Sequence, residues 1–428
     1  LLGVLGAAPV VAAAGAALFA VHPVHVEAIA SIVGRADLLV AVFSLVAVLA
    51  HLRLRTAGLR IPVVALCYAA ALGAKESGVA LPGLLLAVEL VRAGDVRAFA
   101  LAARRQWPLW AALLAVLALY FAARHAVLGT FTGRDVAPYI AALPAPLRVA
   151  TAIANWSTYA RLLFAPWELS ADYGPAVTLP AGLLSLRFWA GLLILAGSLA
   201  LAWLGRARAP LAALGVLWFT VAVFPVTNLL VATPVWIAER TLYSPSIAAA
   251  LLLAALGAEL QRREPRARRL ATAGLALVLV LFGVRSWQRS RTWADSDTVA
   301  RTLITERPES FRSAWWLARM LAASGQYERA AAHFERARSL LPGSAGVAGD
   351  YAGMLLDAGR PAEAEAVLRR LPLDESADMG IYLVRALVMQ ARHREAAAVL
   401  DTLRARFPRD WRLPALASRL DPVPVAPR

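Results

Sequence analysis

The chain has 428 residues, of which 60% are apolar and 17% are charged, and its mean hydropathy is +0.61. A typical soluble domain is about 45–50% apolar and about 25% charged. This composition therefore excludes a disordered chain and disfavours a wholly soluble one. The net charge of +16 is compatible with a nucleic acid or a membrane surface as partner. Cys67 is the single cysteine, which excludes an intramolecular disulfide and a cysteine-based metal cluster.

Residues 1–285 consist mainly of apolar runs separated by short polar breaks. Runs of about 15–22 residues are membrane-span candidates, because a helix needs about 20 mostly apolar residues to cross a bilayer. We predict spans near residues 8–21, 37–52, 61–74, 78–92, 107–123, 183–204, 210–226, 245–260 and 268–285. Residues 147–166 are more polar than the other apolar runs. A full membrane crossing by this segment would break the alternation of arginine-rich and arginine-poor loops between the two sides of the membrane. We predict an interfacial or re-entrant helix in this segment.

The placement of arginine orients the predicted spans. Arginine-rich loops are assigned to the cytoplasm by the positive-inside rule. These loops are residues 53–60, 92–105, 206–208 and 262–269. The intervening loops carry few basic residues for their length and are predicted to lie outside. The positive charge is then mainly a topology signal, so we expect membrane lipids as partners and no nucleic acid.

Residues 311–428 are rich in Ala, Leu, Glu and Arg, with helical periodicity and short Gly or Pro breaks. The segment 311–344 has the 34-residue length of a tetratricopeptide repeat (TPR), and its residues fall at the positions of that repeat. These are Leu317, Ala318, Leu321, Gly325, Tyr327, Ala330, Phe334, Ala337 and Pro342. Further copies begin near Ala345 and Ser376, and a capping helix follows. Three units are the usual minimum for a stable solenoid, so we predict a short TPR α-solenoid after a linker at residues 286–310.

Ionisable residues gather in four clusters on the predicted outer side of the membrane domain. Such residues are costly at span ends unless they are paired or face water, which makes them candidates for a site. The first cluster contains His22, His25, Glu27, Arg35 and Asp37, the second Lys75 and Glu76, the third Asp172 and Tyr173, and the fourth Glu239, Arg240 and Tyr243. Together the four clusters indicate a polar cavity that opens outward.

Each cluster also has a purely structural interpretation. The first can cap helices, and its spacing is not one of the common zinc patterns, so we predict no metal site. In the second, Lys75 and Glu76 can neutralise each other in a turn, or the lysine can bind a phosphate. The third can anchor a loop at the membrane interface. In the fourth, Arg240 can pair with Glu239 or clamp a phosphate.

Taken in order, the clusters resemble the signatures of the transmembrane and TPR-repeat-containing (TMTC) family. Residues 22–30 and 34–39 resemble its HPxHxEAV and GRAELL segments. Residues 75–78 are similar to KEQG, residues 169–173 match LSxDY, and residues 238–246 match AERxLYxPS. Residues 291–295 fit the linker of the family, whereas residues 131–138 depart from its FxxFDNP segment. The resemblance runs in order over nearly the whole chain.

The resemblance implies an all-α protein with a polytopic GT-C-type membrane domain at residues 1–285 and TPRs at residues 311–428. It further implies transfer of a sugar, mannose in the eukaryotic members, from a polyprenyl-phosphate-linked donor to Ser/Thr hydroxyls of proteins on the non-cytoplasmic side. Carried over to this chain, Arg240 and Lys75 would bind the donor phosphate, and Glu239 would orient Arg240. The cavity would be lined by His22, His25, Glu27, Arg35, Asp37, Glu76, Asp172, Tyr173 and Tyr243. The TPRs would bind the acceptor or a partner protein, and we expect no further cofactor.

In this superfamily the catalytic acidic residue lies in the first external loop. The chain begins Leu1-Leu2-Gly3-Val4, without the basic start and cleavage site of a signal peptide. We interpret it as lacking the first span and the first external loop, so the catalytic carboxylate is expected upstream of residue 1. The composition, rich in Ala and Arg, favours a bacterial member in the inner membrane, with the TPRs on the periplasmic side.

Two other functions compete with the glycosyltransferase. One is a non-catalytic membrane scaffold that recruits proteins through its TPRs, which are binding modules. The other is a transporter, and this hypothesis is weaker because its polar residues should run through the bilayer. Here the polar clusters gather on one predicted face.

Overall fold

A computed structural model describes residues 1–129, 138–141, 143–174, 177–233, 235–261, 263–371 and 377–417. All regular secondary structure in these ranges is helical, which confirms the predicted all-α class. The contacts divide the chain into two compact units. The first unit is Leu1–Tyr173 with Thr178–Val299, and the second is Gly174–Val177 with Ala300–Arg428.

The first unit contains the helices that we number α1 to α14, and α14 runs across its boundary. They are α1 (Pro9–Ala20), α2 (Val26–Ala30), α3 (Arg35–Arg53), α4 (Ala57–Ala74), α5 (Leu81–Ala93), α6 (Val96–Arg105), α7 (Trp107–Leu128), α8 (Pro138–Ala141), α9 (Ala145–Phe164), α10 (Leu186–Gly205), α11 (Pro210–Val223), α12 (Ile247–Leu260), α13 (Pro265–Thr292) and α14 (Ser296–Glu306). Short 3-10 helices lie at Pro23–His25, Glu76–Ala80, Phe224–Val226 and Glu239–Leu242. Proline begins several of these helices, where its missing N–H leaves no helical hydrogen bond unmade.

Five of the described helices are long and apolar enough to cross a membrane, namely α3, α4, α7, α10 and α13. A sixth candidate consists of α1 and the segment Pro23–Ala30, which are bent by 49° at the break between them. The segments Pro210–Val226 and Ile247–Leu260 are apolar but shorter. Residues 78–92, predicted as one span, form the 13-residue helix α5 after a 3-10 turn. By length and composition the chain is a multi-pass membrane protein.

Residues 147–166, predicted as an interfacial or re-entrant segment, lie mostly in the 20-residue helix α9. This helix is not among the five candidates above. It packs closely against α10, because a Cβ atom on Gly191 would lie 2.1 Å from the Ile153 carbonyl oxygen. Only glycine permits this approach, so Gly191 sets the spacing of the two helices. The position of α9 relative to the membrane stays a prediction.

The main core of the first unit is formed by buried apolar side chains of α3, α4, α5, α7, α11 and α12. A second core cluster joins α9 to the segment before α12 through Trp156, Tyr159 and Trp236. The buried Trp218 indole on α11 donates a hydrogen bond to the Ser244 carbonyl at 3.0 Å. The apolar core therefore holds the polar segment that precedes α12 in a defined place.

The second unit contains three antiparallel helix pairs and a short last helix. The pairs are α15 (Phe311–Ala323) with α16 (Tyr327–Leu340), α17 (Ala345–Asp357) with α18 (Pro361–Leu368), and α19 (Ala377–Met389) with α20 (His393–Arg406), and α21 (Arg412–Ala417) follows. Small residues such as Ala330 and Ala352 are fully buried between paired helices, and Phe334 stacks on Tyr351 at 5.1 Å. The residues assigned to repeat positions thus pack as the repeat pattern requires.

The turn inside each helix pair uses a left-handed residue at the same repeat position. Gly325 and Gly359 have φ values of +74° and +72°, and Ala391 stands at the third turn with φ +59°. Glycine adopts this conformation without the steric cost that a Cβ atom brings. The third repeat therefore carries backbone strain that the first two avoid.

Several sequence predictions concern residues outside the described ranges. These are Arg262, most of the departing segment 131–138, the start of the third repeat at residues 372–376, and residues 418–428. Residues 286–310, predicted as a linker, contain the end of α13 and helix α14.

Candidate functional site at the convergence of four polar clusters

The first and fourth clusters meet in an ion pair between Glu27 and Arg240. The Arg240 backbone N–H donates to Glu27 Oε2 at 3.0 Å, and its guanidinium Nη1 donates to Glu27 Oε1. The Glu27 side chain is 4% exposed and the Arg240 side chain 24% exposed, so water reaches the pair only from the arginine side. The expectation that Glu239 would orient Arg240 is wrong, because Glu27 is the carboxylate that holds this guanidinium.

The second cluster meets the first in an ion pair between Lys75 and Asp37. Lys75 Nζ donates to both carboxylate oxygens of Asp37 at 2.7 Å. The Lys75 backbone is extended, with φ −165° and ψ 150°, so its side chain and that of Glu76 leave the chain in different directions. Glu76 is exposed and accepts from Arg124 Nη1 at 2.8 Å. The alternative of a Lys75–Glu76 pair closed on itself is therefore not observed.

Two glycines of the sequence signatures bring these segments together. A Cβ atom on Gly34 would lie 2.5 Å from the Ala28 carbonyl oxygen, and one on Gly78 would lie 2.7 Å from the Ala71 carbonyl carbon. Because these contacts are with backbone atoms, a side chain at either position would push whole segments apart. Gly34 lets the start of α3, with Asp37, approach α2. Gly78 lets the turn after Lys75 fold back on the end of α4.

The two ion pairs are neighbours. Asp37 interacts electrostatically with Arg240 and Glu27 in addition to Lys75, and the two cations and two carboxylates sum to zero charge. A narrow cleft beside them is lined by Asp37 together with the hydroxyl-bearing residues Ser44, Ser77, Thr241 and Ser244. Its free volume of about 10 Å³ suits one water molecule and is too small for a sugar ring. A bulkier ligand requires the elements around the cleft to move apart.

His22 anchors the bend between α1 and the following 3-10 helix. Its Nε2 lies 3.0 Å from the Leu163 carbonyl oxygen, which can only accept, so Nε2 carries the proton. Its Nδ1 accepts from the Val24 backbone N–H at 3.3 Å and caps the 3-10 helix. Both ring nitrogens of this buried side chain are satisfied in the neutral form, so His22 ties the first cluster to the end of α9.

His25 connects the first cluster to the start of α12. Its Nε2 lies 2.6 Å from Ser246 Oγ, and Ser246 Oγ donates to the Tyr243 carbonyl at 2.8 Å, so the histidine is the donor. The imidazole packs against the Phe19 ring at 4.4 Å and the Tyr243 ring at 4.6 Å, and these two rings also contact each other at 5.2 Å. His25 is thus held by aromatic packing and by hydrogen bonds to Ser246 and the Phe19 backbone.

The third and fourth clusters meet at the buried carboxyl of Glu239. Its Oε1 accepts from the Ser170 backbone N–H at 2.5 Å and from the Tyr173 hydroxyl at 2.9 Å. Arg289 Nη2 lies 3.9 Å from the same oxygen. Burial raises the pKa of Glu239 to about 7, opposed by Arg289 and reinforced by the charge of Glu27. Burial beside this carboxyl also raises the pKa of Tyr173. Glu239 therefore supports the segment that carries Arg240.

The remaining predicted residues lie at the edge of this arrangement. Asp172 is buried in a turn in which Ser170 Oγ donates to its backbone carbonyl at 2.8 Å. Arg35 is exposed at the start of α3. In the described part of the chain, no group of three or more His, Cys, Asp or Glu side chains could hold a metal ion.

The sequence analysis missed Arg289 and its neighbour Arg285. Both lie on α13, which continues to Thr292, beyond the predicted end of that span at residue 285. The Arg285 guanidinium donates to the Trp167 carbonyl at 2.9 Å, and Ser286 Oγ donates to the Val21 carbonyl at 2.7 Å. Two arginines four residues apart share one face of a helix. This spacing could have indicated a shared role, but the predicted boundary at residue 285 assigned Arg285 to a span and Arg289 to a linker.

Residues 321–379 match the family model of the tetratricopeptide repeat, which confirms the predicted repeats. The chain is also similar to the protein O-mannosyl-transferase Tmtc1 of Drosophila melanogaster, with 33% identity over 120 residues, 27% of this chain and 14% of the relative. It is 28% identical to Drosophila Tmtc2 over 123 residues, 29% of this chain and 13% of the relative. The protein O-mannosyl-transferase F38B6.6 of Caenorhabditis elegans is 60% identical over 38 residues, 9% of this chain and 6% of the relative.

The matched segments thus span less than one sixth of each of these relatives. No solved structure matches the chain. The chain is a helical membrane protein with tetratricopeptide repeats, and parts of it resemble proteins named as O-mannosyl-transferases.

Proposed function

We propose that this chain is a member of the TMTC family and contributes the membrane and TPR parts of a glycosyltransferase. The enzyme transfers a sugar, mannose by resemblance, from a polyprenyl-phosphate-linked donor to a Ser or Thr hydroxyl of a protein. The reaction takes place on the non-cytoplasmic side, and the TPRs engage the acceptor protein there.

The observation that carries this proposal is the convergence of signature segments from three of the four clusters. Glu27 and Asp37 of the first cluster form two adjacent ion pairs with Arg240 and Lys75, which lie far away in the sequence. Charged groups at the end of a membrane domain are costly, so their assembly at one place supports a binding role. The Lys75 and Arg240 side chains are 22% and 24% exposed, so both remain accessible to an anion.

The chemistry requires cations at this place. The acceptor oxygen attacks the anomeric carbon, the bond from that carbon to the phosphate oxygen breaks, and a carboxylate takes the hydroxyl proton. Negative charge grows on the leaving phosphate, and a lysine and an arginine that face it stabilise the transition state. The pairing with Asp37 and Glu27 holds both cations in position before the donor arrives. Donor binding then exchanges part of these carboxylate contacts for phosphate contacts.

The same geometry favours a second candidate function. Lys75 and Arg240 each already have a carboxylate partner, and the four charges sum to zero. A purely structural network of buried charges has the same requirement, because each buried charge must be paired. In that case the membrane unit is a scaffold, and the protein acts through its TPRs by recruiting proteins.

The test compares donor binding and transfer by the full-length protein in membranes. Radiolabelled polyprenyl-phosphate mannose is supplied, and label in Ser/Thr-containing proteins is counted. The variant is Arg240→Ala combined with Glu27→Gln, because removing the arginine alone leaves a buried charge. Glu27→Gln alone is the matched comparison, since it keeps the arginine and shares with the double variant any loss of positioning by Glu27.

We expect donor binding and transfer by the double variant to be at least about tenfold lower than by Glu27→Gln, the loss expected when one charge-assisted contact is removed. Equal transfer by both variants would refute the phosphate role of Arg240. No transfer by the wild type, together with specific capture of proteins by the TPR unit, would favour the scaffold.

A further inference from the structure

A cleft of about 360 Å³ lies between helices α5, α10 and α11, apart from the four polar clusters. Its walls are apolar, with Leu90 on α5, Leu217 on α11, and Leu199 and Trp203 on α10. Leu90 is nine residues from the start of α5, about 14 Å along the helix, whereas Lys75 precedes that start. The cleft is therefore a separate feature, near the arginine-rich helix ends.

One charged side chain lines this cleft, that of Arg206 directly after α10. The guanidinium lies over the Trp203 ring, 4.2 Å from its centroid, and Nη1 donates to the Trp203 carbonyl. Its Nε is buried and has no hydrogen-bond partner among the described residues. A buried guanidinium N–H without an acceptor is costly, and an anionic oxygen of a ligand in the cleft would satisfy it.

We propose that this cleft binds an anionic phospholipid, with an acyl chain along its apolar walls and the phosphate on Arg206. The occupant needs both an apolar part and an anionic part, because the walls are apolar and the one charged wall residue is a cation. A free phosphate leaves the walls uncovered, and an uncharged chain leaves Arg206 Nε without an acceptor. Arg208, exposed two residues further on, adds positive charge at the same helix end.

Native mass spectrometry of the full chain tests this, with phosphatidylglycerol and phosphatidylcholine of identical acyl chains supplied at equal concentration. Arg206→Gln removes the charge but keeps a donor for the Trp203 carbonyl. Ala200→Trp places bulk in the cleft and keeps Arg206. Arg97→Ala is the matched control, because Arg97 is an exposed arginine of α6 that does not line the cleft.

We expect the wild type and the Arg97 variant to retain phosphatidylglycerol about tenfold better than phosphatidylcholine, the factor of one charge-assisted hydrogen bond. Arg206→Gln should bring this ratio close to one, and Ala200→Trp should lower retention of both lipids while the unfolding temperature is kept. Equal retention of the two lipids by the wild type overturns the proposal, as does an unchanged ratio in Arg206→Gln. Stabilisation by soluble glycerol phosphate equal to that by the lipid would instead indicate a simple phosphate site.

Discussion

Removal of the Arg240 side chain should destabilise the membrane unit, and removal of the Glu27 charge at the same time should restore much of the loss. In Arg240→Ala, the carboxylate of Glu27 stays buried and loses its cation. It keeps the hydrogen bond from the backbone N–H of residue 240, which does not depend on the side chain. Glu27→Gln removes the charge, and the amide oxygen can still accept that backbone hydrogen bond.

The size of the effect follows from burial. Breaking a buried ion pair by removing one partner costs about 3–5 kcal/mol. Two features reduce this value here: the Arg240 side chain is 24% exposed, and one hydrogen bond to Glu27 survives. We expect a loss of about 2 kcal/mol for the single variant, since partial exposure screens the charge. For a unit of this size the loss corresponds to a thermal midpoint lowered by about 3 °C.

The assay is thermal unfolding of the purified full chain in lipid nanodiscs, followed by tryptophan fluorescence. Arg35→Ala is the control, because Arg35 is an exposed arginine at the start of α3, and its midpoint should stay within about 1 °C of the wild type. The double variant should recover at least half of the loss. A double variant no more stable than Arg240→Ala would refute the argument that the buried carboxylate causes the destabilisation.

The other predictions concern a carboxyl group and four backbone positions. Since the pKa of Glu239 is raised to about 7 from 4.5, its neutral form favours the fold, and stability should fall as pH rises from about 4.5 to 7. Glu239→Gln should flatten this dependence, measured as denaturation midpoints at pH 5, 6 and 7, and an unchanged slope would contradict it. Ala391→Gly should stabilise the third TPR pair by about 1 kcal/mol, and Gly359→Ala should destabilise the second pair by about as much. Hydrogen exchange of the α20 amides measures the first effect, and that of the α18 amides measures the second. Effects of the opposite sign would contradict the argument from backbone strain. Gly191→Ala should cost about 2 kcal/mol or more, because its Cβ would clash with the backbone of α9. Gly197→Ala, in the same helix with open space around it, should be neutral or stabilising, and equal midpoints for these two variants would exclude the close helix contact.

The apolar runs and the repeat pattern by themselves determined most of the helices. An apolar run of span length has few alternatives to a helix, because a backbone in a membrane must satisfy its own hydrogen bonds. The TPR register followed from the spacing of Leu317, Gly325 and Phe334, since each repeat uses the same small and large residues at the same contacts. The sequence also indicated that the ionisable signature residues belong together.

Only the tertiary structure decided which charges pair. Glu239 and Arg240 are neighbours in the chain, but they lie on a 3-10 helix, where successive side chains point about 120° apart. One therefore enters the protein interior toward Tyr173, and the other turns toward Glu27. Pairings across long sequence distances depend on how the helices pack. That packing depends on contacts such as the one between Gly34 and the Ala28 backbone, and a signature that contains the glycine does not say which segment it touches.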